Sequence, residues 1–197
     1  MLFSGIKSRP LYATLQPDPF ARFNLVLVQG EGVNAAVRLL ECAGDQFRMR
    51  TTILYAGAAQ AADRMRSFQI QRMQFLPTIE TLLVRVDGFL ATAMMGTRLY
   101  TAGTEGFMGQ VIQHAGNYFI DHKSIITEHC GSLARRIQCI HCRGATENVT
   151  TNVVRCSHCG VDLLVRDHYS RRLAAFMAVS ADAEAPGTLP AIEKIFR

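Results

Sequence analysis

Four of the six cysteines fall into two pairs, Cys139-x2-Cys142 and Cys156-x2-Cys159, and this spacing constrains the fold more than any other feature. Each CxxC places two sulfurs on one tight turn, where both face a single ion. Two such turns on facing hairpins supply the four corners of a tetrahedron, which zinc accepts with no geometric preference of its own. Gly160, directly after the second pair, suits the backbone bend of a knuckle. A module of about 50 residues buries little core, so a bound ion supplies much of its folding free energy. The spacing therefore predicts a structural metal site held by Cys139, Cys142, Cys156 and Cys159. Zinc is the expected ion, iron held by the same four thiolates is the rival, and a pair of disulfides is the remaining reading. A closed site leaves no position for water, so no catalytic residue is assigned to it. His141 and His158, inside the pairs, read as solvated knuckle residues.

Nothing else in the composition overrides that reading. Of 197 residues, 49% are apolar and 19% charged, the balance of a folded domain with room for an appendage. The net charge of +5 is mild, there is no Trp, and no dense Lys/Arg run occurs, so a nucleic-acid partner is not indicated. No stretch approaches 18 apolar residues and the N-terminus lacks a secretory pattern, which points away from membranes and toward the cytoplasm.

Along the chain, residues 1–20 read as an irregular arm with Pro10, Pro17 and Pro19. Phe23–Val28 is a continuous apolar run suited to a buried strand. Further strands are expected at Thr51–Tyr55, Thr81–Val86 and Thr97–Thr101, with a short fifth at Ser124–Thr127. Helices are expected after Gly32, over Ala58–Phe68 and over Thr104–Ala115. Strands alternating with helices predict a doubly wound α/β domain with a parallel sheet over residues 21–130. A small β metal ribbon over 131–180 follows, with strands near Val149–Val154 and Val161–Val165. The tail 181–197 is expected to be extended, with a turn of helix near Ile192–Phe196. Cys42 reads as a buried helix residue, Met94, Met95 and Met108 as core or helix residues, and Asp167–Arg172 as a solvated turn. Cys130, next to His129, is a weak nucleophile candidate, because sequence neighbours rarely have the geometry of a dyad.

Two strand-to-helix turns carry glycines where a phosphate would meet backbone N–H groups. Gly30-Glu31-Gly32 leads into Asn34, and Gly103-Thr104 precedes Glu105-Gly106-Phe107. These residues, Gly30, Gly32, Asn34, Gly103 and Thr104, form a degenerate dinucleotide site. The equal alternative is a pair of tight turns that need glycine for conformation alone. Glu31 places negative charge where a pyrophosphate would lie.

With Leu54-Tyr55-Ala56-Gly57 and Ala102-Gly103-Thr104-Glu105-Gly106-Phe107-Met108, this part of the chain resembles the nicotinamide-binding half of ferredoxin reductases. Ala102 and Thr104 stand where that family has Cys and Pro, and only about 20 residues precede the first strand, too few for the family's flavin-binding barrel.

The C-terminal third carries a second resemblance. Cys130-Gly-Ser-Leu-Ala-Arg-Arg136, the two CxxC pairs, Thr150-Thr-Asn-Val-Val154 and Leu163-Leu-Val-Arg-Asp-His-Tyr-Ser-Arg-Arg172 resemble the A subunit of bacterial dimethylamine monooxygenase. So do Asp182-Ala-Glu-Ala-Pro-Gly187 and Pro190-Ala-Ile-Glu193. The resemblance implies a subunit of a multicomponent, NADPH-dependent oxygenase that demethylates dimethylamine to methylamine and formaldehyde. It implies a hetero-oligomer with a flavin/iron–sulfur reductase and a haem subunit. The sequence has no haem-attachment or ferredoxin-type cysteine pattern, so haem, flavin and iron–sulfur are expected on partners. The alternatives are a subunit that itself binds NADPH and a zinc-ribbon regulatory or nucleic-acid-binding protein.

Overall fold

The computed structural model describes residues 8–197. Residues 1–7 of the expected arm lie outside them. Residues 12–131 form one compact unit, and residues 8–11 join 132–197 in a second.

The first unit is built on five parallel strands: β1 (Phe23–Gln29), β2 (Thr51–Ala56), β3 (Arg72–Leu76), β4 (Thr97–Gly103) and β5 (Ile125–His129). Their order is β3-β2-β1-β4-β5. β1 pairs in parallel with β2 and β4, in the register Val26↔Ile53 and Val26↔Tyr100. The side-chain period of two divides each central strand between two cores. Val26, Val28, Ile53, Tyr55 and Tyr100 pack on one face with Ala36, Leu39 and Leu40 of helix α1 (Val33–Cys42). Leu25, Leu27, Leu54 and Leu99 pack on the other with helices α4 (Ile79–Leu90) and α5 (Glu105–Asn117). Cover on both faces is why β1 reads as an unbroken apolar run. Two one-turn helices, α2 (Asp45–Arg48) and α3 (Asp63–Arg66), complete the unit.

Several local expectations are corrected. Thr81–Val86 is the interior of α4, not a strand. Thr78 and Thr81 form a reciprocal capping box, and Leu82, Leu83, Val86 and Leu90 make a helical stripe. The third strand is instead Arg72–Leu76, an edge strand whose mixed exposure hides it from hydropathy. Ala58–Phe68 is a 3-10 turn at Ala59–Ala62 followed by α3. Cys42, in the last turn of α1, is exposed, because the apolar stripe of that helix is carried by Val33, Ala36, Val37, Leu39 and Leu40. Met94 and Met95 are exposed in the turn before β4, whereas Met108 is buried in α5.

The second unit is a β sheet in the order β7-β6-β10-β9-β8. Its strands are β6 (Arg135–Cys139), β7 (Ala145–Val149), β8 (Val153–Arg155), β9 (Asp162–Ser170) and β10 (Ala175–Ser180). The β6–β10 pair is parallel and the others are antiparallel. Ile137, Val149, Leu163, Phe176 and Phe196 share its core. Asp167–Ser170 belongs to β9 rather than to a turn, because the Asp167 carboxylate is drawn inward to Arg135. The tail forms no helix. It runs extended beside residues 150–152, where the Thr150 carbonyl accepts from Ile195 and Phe196 at 3.0 and 2.9 Å, and Phe196 is buried. Burying that ring contributes roughly 2 kcal/mol, more than one helical turn could return.

Candidate metal centre

The two CxxC turns repeat one hydrogen-bond pattern. The Cys139 carbonyl accepts from Arg143 N–H at 2.9 Å, and the Cys139 N–H donates to the Gly144 carbonyl at 2.9 Å. Likewise the Cys156 carbonyl accepts from Gly160 N–H at 3.1 Å, and the Cys156 N–H donates to the Val161 carbonyl at 2.8 Å. Each turn needs a left-handed residue one place after its second cysteine. Gly160 takes that place at φ 75°, and Arg143 takes it at φ 63° in the first turn. The two turns are also tied to each other without any ion. His158 Nε2 bonds the Ala145 carbonyl at 2.7 Å, and the Thr146 and Ser157 hydroxyls lie 3.0 Å apart. His158 is thus a cross-link between the turns, not a free surface group.

The four sulfurs lie within 4.8 Å of one another. Cys139 Sγ is 3.8 Å from Cys159 Sγ, and Cys142 Sγ is 3.7 Å from Cys156 Sγ. A metal–sulfur bond of about 2.3 Å in a tetrahedron requires sulfur–sulfur edges of about 3.8 Å. A disulfide would require about 2.05 Å. The four cysteines therefore form a cage that could hold a metal ion. Burial works against a thiolate on Cys156, but the N–H groups of Cys159 and His158 outweigh it and lower its pKa to about 6. The Val161 N–H favours a thiolate on Cys159, yet burial and the neighbouring sulfurs push that thiol up to about 12. Four thiolates this close repel one another, and a divalent cation removes the repulsion.

The glycine turns meet at the carboxyl ends of β1 and β4, where the strand order reverses and α/β proteins place ligands. Gly30–Gly32 is a 3-10 turn opening α1, with Gly32 buried. A Cβ on Gly32 would lie 2.2 Å from the Ala102 carbonyl oxygen, so glycine here permits the close approach of the turn to β4. Asn34 is exposed in the first turn of α1. Gly103 ends β4, and Thr104 is the N-cap of α5. Sequence reasoning missed Gln29, the residue before the first glycine. Its Oε1 accepts from Thr104 N–H at 3.0 Å and from the Thr104 hydroxyl at 2.8 Å. The N–H and hydroxyl of the α5 N-cap thus already have a partner inside the chain. Glu31 is exposed in the turn at the opening of α1. Cys130 donates its N–H to the Gly103 carbonyl, and burial together with Glu128 pushes its thiol up, the opposite of what a nucleophile needs.

A doubly wound parallel α/β unit and a β unit that gathers four cysteines define an α/β protein with a four-cysteine module that could hold a metal ion. The chain belongs to the dimethylamine monooxygenase subunit DmmA-like family. The family's N-terminal domain matches residues 4–125 and its C-terminal domain residues 136–179. It is 27% identical over 181 residues to the heme-dependent oxidative N-demethylase delta subunit of Ectopseudomonas mendocina (strain ymp), covering 91% of each chain. Among solved structures, it is similar to a ferredoxin–NADP+ reductase from Plasmodium falciparum, with 14% identity and a TM-score of 0.39. That match covers 55% of this chain and 53% of the reductase. It is also similar to the flavohem-like FAD/NAD-binding domain of nitric oxide dioxygenase from Vibrio cholerae O1 biovar El Tor, with 20% identity and a TM-score of 0.38. There the coverage is 54% of this chain and 51% of that domain, so the chain spans about half the length of each structure. Among the described residues, no helix is long and apolar enough to cross a membrane.

Proposed function

We propose that this chain is an accessory subunit of a cytoplasmic, multicomponent NADPH-dependent amine monooxygenase that N-demethylates dimethylamine to methylamine and formaldehyde. Family membership and the delta-subunit relative support the system. In this reading the four-cysteine cage holds zinc, which closes and stabilises the β unit and leaves no open coordination position for chemistry. Haem, flavin and iron–sulfur centres reside on partner subunits.

The observation that carries the accessory role is the bridge from Gln29 to Thr104. It engages, inside the chain, the N–H and hydroxyl of the α5 N-cap, two donors at the mouth of the crevice. Ala102 at the end of β4, where ferredoxin reductases carry a cysteine, and Glu31 at the opening of α1 support the same reading. Titration of NADPH into the metal-loaded protein, followed by calorimetry, tests this. The reading predicts no saturable binding up to about 1 mM, the upper end of ordinary enzyme KM values. Saturable binding that Gln29→Ala strengthens or Asn34→Trp abolishes would replace it with an NADPH-binding subunit.

A further inference from the structure

The amino ends of the five parallel strands lie along the edge of the α/β unit opposite the glycine turns, and that edge carries side chains the fold does not use. Phe119 is 97% exposed, Met95 94% and Phe20 87%, and Met49 and Met94 are exposed beside them. Each sits in a segment that leads into a strand: Phe20 before β1, Met49 before β2, Met94 and Met95 before β4, and Phe119 before β5. The segments are held in place. Arg22 N–H donates to the Gly96 carbonyl at 2.9 Å, Asn24 N–H to the Arg50 carbonyl at 2.9 Å, and Phe20 N–H to Asp18 Oδ1 at 2.8 Å. The Met94 carbonyl accepts from the Thr97 N–H and hydroxyl at 3.2 and 2.7 Å. Large apolar groups at the starts of four adjacent strands, on backbone held by hydrogen bonds, mark an interaction surface, and methionine and phenylalanine are enriched in such surfaces.

Phe119 supplies a separate observation. It adopts φ 58° just past the end of α5, with its N–H on the Gly116 carbonyl at 3.2 Å and the Ile120 N–H on the Ala115 carbonyl at 3.2 Å. That left-handed position at a helix end suits glycine or asparagine, and a bulky ring there is a conformational outlier. The ring gains nothing in return from the fold, because it is almost fully in solvent. Backbone strain carried by a side chain without an internal role points to an external one.

Charge identifies the partner. Arg22, Arg50, Arg72 and Lys123 flank the apolar groups at the starts of β1, β2, β3 and β5, are exposed, and make no ion pair among the described residues. Of the acids of this edge, Asp18 is paired with Arg98 and Asp45 with Arg48, and Asp121, which accepts the Lys123 backbone N–H, keeps its charge, so the four cations outweigh it. We infer that this edge is the docking face for an acidic protein surface with an apolar centre, and that the other subunits of the assembly include the protein that bears it. That the bearer is an enzyme subunit rests on the function proposed above; the face itself does not. A second copy of this chain would bring cations against cations. Nucleic acid would call for a denser basic field with fewer apolar groups.

The test uses the tagged full chain, purified from its own host grown on dimethylamine, with co-purifying subunits quantified by mass spectrometry. The variants are Phe119→Gly, the pair Met95→Ser with Arg50→Glu, and Val84→Ser as an exposed control on α4. A carbodiimide then joins lysine amines to touching carboxylates. The expected result is loss of co-purifying subunits by at least about tenfold in the first two variants. Recovery should be unchanged in the control, the melting temperature of Phe119→Gly should be equal or higher, and Lys123 should be joined to an acidic subunit. Retention of every subunit by every variant overturns the docking face and leaves the subunit reading standing. Recovery of the wild type alone at low salt contradicts both. A self-dimer that these variants dissolve, or binding of RNA or anionic vesicles that they abolish, gives the face another occupant and overturns the inference.

Discussion

The guanidinium carbon of Arg135 lies 3.9 Å from the centroid of the Phe196 ring, which seats the penultimate residue of the chain on the first strand of the β unit. The same carbon lies 3.8 Å from the Phe176 centroid, so the cation is held between two rings, and its Nη2 donates to Asp167 at 2.7 Å. A buried arginine is tolerable only when its charge is answered in this way. Phe196→Ala removes one ring and opens a cavity beside the charge. It is expected to cost about 3 kcal/mol, whereas Ile192→Ala, at an exposed site of the same tail, should cost under about 0.5 kcal/mol. Urea unfolding of the metal-loaded protein measures both.

The four-cysteine cage predicts that stability divides by unit. A strong chelator, or Cys156→Ser, should abolish amide-exchange protection in β6–β10 while β1 and β4 keep theirs. The sulfurs of the β unit repel without an ion, and the α/β unit has cores of its own. Loss of protection in both units on chelation would mean that the metal holds more than its own module.

Acid sensitivity of the α/β unit should run through Asp18. The Arg98 guanidinium, helped by the Phe20 N–H, holds the Asp18 carboxyl below its ordinary value of 3.8. A depressed folded-state pKa contributes stability above the unfolded value and loses it as pH falls through the folded one. Asp18→Asn should therefore cost about 1 kcal/mol at neutral pH and progressively less below about pH 4. Urea melts followed by helical circular dichroism report on this unit, because the α-helices lie in it.

Gly32 and Gly30 should respond differently to alanine. A Cβ at Gly32 meets the Ala102 carbonyl oxygen at 2.2 Å, and backbone cannot yield cheaply, so Gly32→Ala should cost at least about 3 kcal/mol or prevent soluble expression. Gly30, at φ 51° in open space, carries only the left-handed penalty of about 1 kcal/mol. Thermal melts of the two variants decide it. The contrast matters because it ties this glycine to strand–turn packing.

What the sequence disclosed follows from the range of each interaction. β1 announced itself because both its faces are covered, and the cage announced itself because CxxC turns are local. Thr81–Val86 misled because a short apolar run is ambiguous between strand and helix, and the deciding Thr78 cap lies outside the run. Gln29 was invisible because its partner, Thr104, is 75 residues away. The seat of Phe196 on Arg135 has no periodicity at all. Met94 and Met95 read as core or helix residues because hydropathy does not say whether an apolar side chain finds a partner.

The most direct measurement is an omission and add-back assay. The remaining subunits, purified from a host lacking this chain, are supplied with NADPH and dimethylamine, and formaldehyde release is followed. The account predicts that release falls to background without this chain. It also predicts that the wild type and the crevice-blocking Asn34→Trp variant restore it equally, and that this chain alone oxidises no NADPH. Full activity without the chain, or NADPH oxidation by the chain alone, would contradict it.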